Sequence, residues 1–283
     1  MVKLALPKGR MQEGVFALLS DAGLPVKVGS RGYRPTLPLP WIEAKILKPQ
    51  SIVEMLHLGA RDVGFAGADW VRELGAELVE LVDTEMDPVR VVAAAPSALV
   101  AASWPPKRRI VVASEYEQIT RRWIAREMLD ATFLRSFGAT EVLPPEDADC
   151  IVDNAATGST LKANGLEIVA DLMTSSTRMY AHPKALDDAT KRTRIETIVL
   201  LVRSVLEARK RVMLEVNVSR EKLESVVAVL PCMREPTIST LHGDGGYAVK
   251  AAVPRALLPT LIPEIKARGG TDIVVGALTQ IVP

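Results

Sequence analysis

The sequence predicts an α/β protein of two blocks followed by a separate C-terminal module in β-α-β-β-α-β order. Three observations predict it. Short apolar runs alternate with helix-like stretches along the chain, the pattern of α/β folds. A long amphipathic stretch over residues 186–211 closes on the charged run Glu207-Ala-Arg-Lys-Arg211 and marks a boundary. Beyond it, about 70 residues carry strand and helix signals of their own, a size at the lower end for a domain.

The elements follow in order. Residues 2–6 read as a strand ending at Pro7-Lys8-Gly9-Arg10, and residues 12–22 as a helix stopped by Gly23. Residues 52–58 repeat apolar side chains at helical spacing, and residues 62–66 form the next buried strand, ending at Gly67. The second block opens near Arg90. Its strands are expected at 90–95 and 110–113, separated by the turn-rich Ser103-Trp-Pro-Pro106, with a helix over 119–129. Residues 150–152 form another strand, followed by a glycine-containing turn, a short helix ending near Asn164-Gly165, and a strand over 166–170.

The long helix carries Ile195, Ile198, Val199, Val202, Val205 and Leu206 along one stripe. In the C-terminal module, residues 212–218 alternate as a strand. Ser219 caps a helix that runs to Val229 and is stopped by Pro231. Strands over 237–241 and 247–253 flank the turn His242-Gly-Asp-Gly-Gly246. A helix over 254–268 closes at Gly269-Gly270, before a last strand over 272–278. This is the ferredoxin-like order.

Composition narrows the function. Hydrophobic residues make up 48% of the 283-residue chain and charged residues 24%, enough apolar material for real cores. The 35 basic and 34 acidic residues leave a formal charge of +1, without the basic excess of a nucleic-acid binder. An anionic ligand must therefore be gripped locally. Cys150 and Cys232 are far apart, with no spacing that suggests a disulfide framework or a metal site. The apolar stretch near Met1 is too short for a signal peptide, and no run could span a bilayer. A cytoplasmic protein is expected.

The most informative segment is Asp149-Cys-Ile-Val-Asp153-Asn-Ala-Ala-Thr157-Gly158-Ser159-Thr160-Leu161. A buried strand delivers Asp153, a turn of small residues follows, and a helix starts at about Thr160. Backbone N–H groups and the hydroxyls of Thr157, Ser159 and Thr160 suit a phosphate monoester, and Gly158 permits close approach. An ordinary helix-capping turn uses the same residue types, so spacing alone leaves both readings open.

The segment resembles the ribose-5-phosphate loop of phosphoribosyltransferases, in which acids precede a Thr-Gly-x-Thr turn. The usual pair of acids is reduced here to Asp153, with Val152 at the other position. That single acid, with Thr157-Gly-Ser-Thr-Leu161 and Asn164-Gly165-Leu166, is similar to ATP phosphoribosyltransferases. Further blocks match in order: Leu4-Ala-Leu-Pro-Lys8-Gly9-Arg10, Leu47-Lys48-Pro-Gln50-Ser-Ile52, Gly59-Ala-Arg-Asp62-Val-Gly64-Phe-Ala-Gly67-Ala-Asp69, and Gly138-Ala-Thr-Glu141-Val. Each alone is weak, and their order is the specific signal. Lys48, Val53 and Asn154 stand where the family pattern has Arg, Pro and an aliphatic residue.

The chain is thus identified as resembling the long form of the family, with a C-terminal histidine-binding regulatory domain. The resemblance implies two lobes of periplasmic-binding-protein-like type plus an ACT-like βαββαβ domain. The expected division is catalytic lobe I at 1–89 and 180–209, lobe II at 90–179, and a regulatory domain at 210–283. It implies transfer of the phosphoribosyl group of phosphoribosyl pyrophosphate to N1 of ATP, the first step of histidine biosynthesis, with histidine as inhibitor. It also implies Mg²⁺ carried in with phosphoribosyl pyrophosphate, and a homo-oligomer of dimers and hexamers.

By the same resemblance, Ala156, Thr157, Gly158, Ser159 and Thr160 hold the 5-phosphate. Asp153 and Glu141 bind ribose hydroxyls or stabilise charge at the anomeric carbon; the plainer reading of Glu141 is a solvated carboxylate. Lys8, Gly9, Arg10, Arg34 and Lys48 are assigned to the triphosphate and pyrophosphate, against a default of surface charge. Asp69 either contacts the nucleotide or caps a helix. Thr237 and Ser239 either contact histidine or are ordinary strand residues. His57, His182 and His242 are scattered and read as surface or structural. Three rival readings are a non-enzymatic ligand-binding protein, a regulatory paralogue without activity, and a different phosphoribosyltransferase, which the loop alone would fit but the other blocks would not.

Overall fold

In a computed structural model describing residues 1–29, 32–243 and 245–282, the apolar runs become strands and the amphipathic runs helices. In chain order these are β1 (Val2–Pro7), α1 (Arg10–Asp21), β2 (Ile42–Leu47), α2 (Pro49–His57), β3 (Val63–Gly67), α3 (Ala68–Leu74), β4 (Val79–Pro96), α4 (Ser97–Ala102) and β5 (Ile110–Ser114). Then come α5 (Glu117–Arg126), β6 (Ala131–Arg135), β7 (Cys150–Ala155), α6 (Ser159–Ala163), β8 (Leu166–Ala181), α7 (Pro183–Asp187) and α8 (Ala189–Lys210). The C-terminal elements are β9 (Arg211–Val218), α9 (Leu223–Val227), β10 (Thr237–Thr240), β11 (Tyr247–Pro254), α10 (Leu258–Ala267) and β12 (Thr271–Ala277). The chain falls into two compact units, Met1–Ala17 with Val26–Glu196, and Leu18–Pro25 with Thr197–Pro283.

The first unit holds an eight-stranded sheet in the order β2-β1-β3-β8-β4-β7-β5-β6. Strand β1 lies parallel to β2 and β3, and β5 lies parallel to β6 and β7. Parallel strands need cover on both faces, and Leu4, Ala5 and Leu6 of β1 are accordingly fully buried. Antiparallel β4 and β8 pair from Val79↔Ala181 to Pro96↔Leu166 and run through both halves of the sheet. Two α/β halves joined by crossing strands make the two-lobed architecture expected from the sequence.

Both crossing strands are longer than the sequence suggested. Residues 80–87 of β4 carry Glu80, Asp83, Glu85 and Asp87, and Thr174-Ser-Ser-Thr177 of β8 looks like loop composition. The β4–β8 register shifts between Asp83 and Met86 and again before Val89, and Glu85 and Asp87 take positive φ values of 58° and 49°. Side chains supply bonds where the ladder breaks. Thr84 Oγ1 donates to the Thr177 carbonyl at 2.5 Å, Thr177 Oγ1 to Asp87 Oδ2 at 2.8 Å, and Ser176 Oγ to Asp83 Oδ1 at 2.7 Å. Strands β2 and β6 and helix α4 had no counterpart in the sequence reading.

Gly64 illustrates how closely the first half is packed. A Cβ there would lie 2.9 Å from both Cβ and the carbonyl oxygen of Ala5 and 3.0 Å from Ile52 Cγ2. Those neighbours are buried and cannot yield. Gly64→Ala is expected to cost about 1–3 kcal/mol and to lower the melting temperature by several degrees in scanning calorimetry.

The second unit contains an antiparallel sheet in the order β10-β11-β9-β12, the arrangement of a ferredoxin-like βαββαβ fold. Its core follows the two-residue period of strands. Val212, Leu214, Val216 and Val218 of β9 and Val249, Ala251 and Val253 of β11 face Val226, Leu261 and Ile265 of the helices. Within the turn read at 242–246, Asp244 lies outside the described residues. Among the described residues no helix is long and apolar enough to cross a membrane.

Candidate active site

Lys8-Gly9-Arg10 follows the end of the buried parallel strand β1, where α/β sheets place ligands. Gly9 takes φ 87°, a conformation that turns the chain directly into α1 at Arg10. From the second half of the sheet, β7 delivers Asp153, and the loop 156–158 leads into the short helix α6. Gly158 caps that helix at φ 75°. Thr157 Oγ1 and Ser159 Oγ lie 2.9 Å apart, and the loop's hydroxyls are exposed.

These segments line two adjoining clefts. The first, of about 350 Å³, is bounded by Arg10, Glu141, Asp153 and the loop from Asn154 to Leu161. The second, of about 210 Å³, is lined by Lys8, Arg10, Asp69, Trp70, Tyr116 and Asn154, with Asp87 and Ser175 to Thr177 from the crossing strands. Arg10 and Asn154 belong to both. The loop cleft is polar, lined by hydroxyls and backbone together with a guanidinium and two carboxylates. Its neighbour offers aromatic and apolar walls, with Met11, Pro49 and Val89, beside hydrogen-bonding groups.

Electrostatics single out Asp153. Burial, first, and the charges of Glu141 and Glu115 raise its carboxyl from 3.8 to about 6, partly opposed by the Asn154 N–H that donates to Oδ1 at 2.7 Å. Glu141 sits in a one-turn helical segment, Thr140–Val142, half-buried and in the loop cleft. Glu141 thus lines the loop cleft while staying partly open to solvent.

Asp69 is not the cap of α3, a position Gly67 occupies. Its buried carboxylate instead accepts bonds from Tyr116 Oη at 2.7 Å and Ser175 Oγ at 2.6 Å. Tyr116 stacks on Trp70 with ring centroids 4.8 Å apart, tilted by 33°. Burial, then the Asp69 charge, push its phenol well above the usual range, so it is protonated and donates. One turn along α3, buried Glu73 accepts from the backbone N–H groups of Gln118 and Ile119, at 2.9 and 3.0 Å. It thereby satisfies the first turn of α5.

The other cations divide. Lys8 Nζ donates to Tyr33 Oη at 2.9 Å and lies 4.9 Å from that ring's centroid. Arg34 and Lys48 are exposed and line neither cleft, although Lys48 directly precedes Pro49, which does. In the second unit, Thr237 lines a separate cavity of about 350 Å³ with Cys232, Arg234, Glu235 and Lys250. Ser239, two residues along β10, does not line it. Among the described residues, no group of three or more His, Cys, Asp or Glu side chains is placed to hold a metal ion.

Sequence reasoning missed Tyr116, Trp70, Asp87 and the hydroxyls of Ser175 to Thr177. The signal available for the last group was a run of four consecutive hydroxyl residues, Thr174 to Thr177, inside an otherwise strand-like segment. Tyr116 carried no local signal, since its partners lie 38 and 47 residues away in sequence.

Comparison with known proteins bears on the same region. A family model described as ATP phosphoribosyltransferase matches residues 48–204, and one described as the HisG C-terminal domain matches residues 208–280. An ATP phosphoribosyltransferase of Pelotomaculum thermopropionicum is 34% identical over 287 residues, covering 100% of this chain and 99% of the relative. One from Chlorobium phaeovibrioides is 36% identical over 278 residues, covering 96% and 95%. Among solved structures, a chain of the ATP phosphoribosyl transferase (HisG:HisZ) complex from Thermotoga maritima superposes with a TM-score of 0.64 at 25% identity, covering 72% of this chain and 99% of its own.

Proposed function

The chain belongs to the ATP phosphoribosyltransferase family, transferases of the first step of histidine biosynthesis, and from that premise we propose that the two adjoining clefts hold its two substrates. The loop cleft takes phosphoribosyl pyrophosphate and the aromatic-walled cleft takes ATP. One observation carries this reading: Arg10 and Asn154 line both clefts, so the reacting ends of two ligands meet at a shared wall.

In the reaction, N1 of adenine attacks C1 of the ribose. The N1–C1 bond forms, the C1–O bond breaks, and its electron pair leaves with pyrophosphate. The protein's task is positioning and charge stabilisation. Thr157, Ser159 and Thr160, with the backbone from Ala156 through Gly158, hold the 5-phosphate. Asp153 and Glu141 accept from ribose hydroxyls and face the positive charge that builds at C1. Lys8, Gly9 and Arg10 receive the polyphosphates; Arg34 and Lys48 would act only at the rim. Asp69 faces the base.

Magnesium suits this cleft, where the Glu141 and Asp153 carboxylates share one lining and the Glu141 charge acts on Asp153. It would enter with the pyrophosphate, screen its charge and keep most of its waters, with Asp153 and Glu141 accepting from that hydration shell. We assign residues 1–89 with 180–209 and 90–179 as the two catalytic lobes and residues 210–283 as a histidine-sensing domain. Thr237 and its cavity are the contact site on that domain. Inhibition then requires histidine to favour one quaternary state, in a dimer or hexamer.

The test is an ultraviolet assay of N1-alkylated product with ATP, phosphoribosyl pyrophosphate, Mg²⁺ and pyrophosphatase. Product whose formation histidine suppresses is expected. Product formed regardless of histidine would overturn the sensing role alone. Absence of product would overturn the assignment of the two clefts.

A further inference from the structure

The two clefts are joined by a continuous run of hydrogen bonds. Asp153 Oδ1 accepts from the Asn154 N–H at 2.7 Å and lies 3.4 Å from Asn154 Nδ2. The same Nδ2 donates to Tyr116 Oη at 3.1 Å. Tyr116 Oη in turn donates to Asp69 Oδ2 at 2.7 Å, and Ser175 Oγ donates to Asp69 Oδ1 at 2.6 Å. The hydroxyl of Tyr116 has one proton, and buried Asp69 takes it. Asn154 is therefore its donor partner, and each bond in such a chain polarises the next.

Asn154 is also shared between two acceptors, Asp153 in the loop cleft and Tyr116 in its neighbour. A ribose hydroxyl that donates to Asp153 competes with Asn154 Nδ2 for the carboxylate. The amide has two N–H donors, and without the long 3.4 Å contact to Asp153 it can rotate to point one of them more directly at Tyr116, which strengthens the Tyr116–Asp69 bond and holds the Asp69 carboxylate in one orientation. We propose that Asn154 and Tyr116 are positioning residues that couple the clefts, so that a phosphorylated ribose in the loop cleft tightens binding of the adenine nucleotide next to it. The inference rests on the assignment of the two substrates above. Neither residue takes part in bond making; both act through Asp153 and Asp69.

The test is calorimetric, on the full chain, with ATP and ribose 5-phosphate, a pair that cannot react because no pyrophosphate is present to leave. In the wild-type protein, saturating ribose 5-phosphate is expected to lower the Kd of ATP by roughly threefold to tenfold, the scale of one hydrogen bond. Asn154→Leu, which keeps the side chain's bulk, and Tyr116→Phe should each bring this factor close to one. The double variant should do no more than either alone. Ribose 5-phosphate alone should bind Tyr116→Phe, altered outside the loop cleft, within about twofold of wild type, and unchanged near-ultraviolet circular dichroism would show intact folds.

An undiminished coupling factor in Asn154→Leu, or equal weakening of both ligands with coupling retained, would overturn the inference and leave the cleft assignment standing. Coupling absent from the wild-type protein while both ligands bind would do the same. Failure of the wild-type protein to bind either ligand would overturn the cleft assignment and this inference together.

Discussion

Asp153→Asn is expected to lower kcat/KM by about 100-fold to 1000-fold, the scale of losing one preorganised electrostatic group, while making the protein more stable at pH 8. The two effects have one cause. Burial and the neighbouring Glu141 and Glu115 raise the Asp153 carboxyl from 3.8 to about 6, so the ionised form needed beside a developing positive charge is held at a cost. Between pH 4 and 6 the folded state binds more protons than the unfolded state, and stability falls as pH rises through that window. Above about pH 6 the whole penalty, about 1–3 kcal/mol, is present. Asparagine keeps the acceptor for the Asn154 N–H but does not ionise.

The stability gain of the variant should therefore be full at pH 8 and vanish near pH 4, measured by denaturant midpoints across that range. In the wild-type enzyme, kcat/KM should fall with single-proton slope as pH drops below about 6. A variant as active as wild type, or one less stable at pH 8, would remove Asp153 from the role given to it.

Gly67→Ala is expected to raise the KM for ATP at least tenfold and to lower the melting temperature by several degrees. A Cβ at position 67 would lie 2.1 Å from Asp69 Oδ1. The backbone there has φ −73°, which any residue adopts, so the effect is purely steric. The Asp69 carboxylate cannot swing aside freely because Tyr116 and Ser175 hold it in a buried site. Displacing it leaves two buried hydroxyls without their acceptor, at about 1–3 kcal/mol each. The KM for phosphoribosyl pyrophosphate should change less, by no more than the roughly threefold to tenfold coupling between the clefts, since the loop cleft does not include Gly67. Steady-state kinetics with each substrate varied in turn separates the two; an unchanged ATP constant would sink the role of Asp69.

Much of this was legible in the chain before any coordinates. The strand-to-turn junctions at Lys8-Gly9-Arg10 and Asp153 to Thr160 were readable, because a short apolar run followed by glycine and small polar residues has few local solutions. The C-terminal βαββαβ order was readable for a similar reason: its strands alternate with period two, and Ser219, Pro231 and Gly269-Gly270 mark where helices start and stop. Such signals act over a few residues and depend on local backbone preference and burial.

Tertiary structure decided the rest. The full length of β4 and β8 depends on pairing between segments about 70–100 residues apart, with hydroxyls and carboxylates bonding across broken register in place of an apolar pattern. Which of the candidate cations reach the clefts was decided the same way: Arg10 does, whereas Arg34 and Lys48 do not. The sequence by itself determined the chemistry of the loop, since that is carried by consecutive residues. The meeting of Asn154, Tyr116 and Asp69 needed three separate elements brought together, because a hydrogen bond of about 3 Å between distant residues exists only after the chain has folded around it.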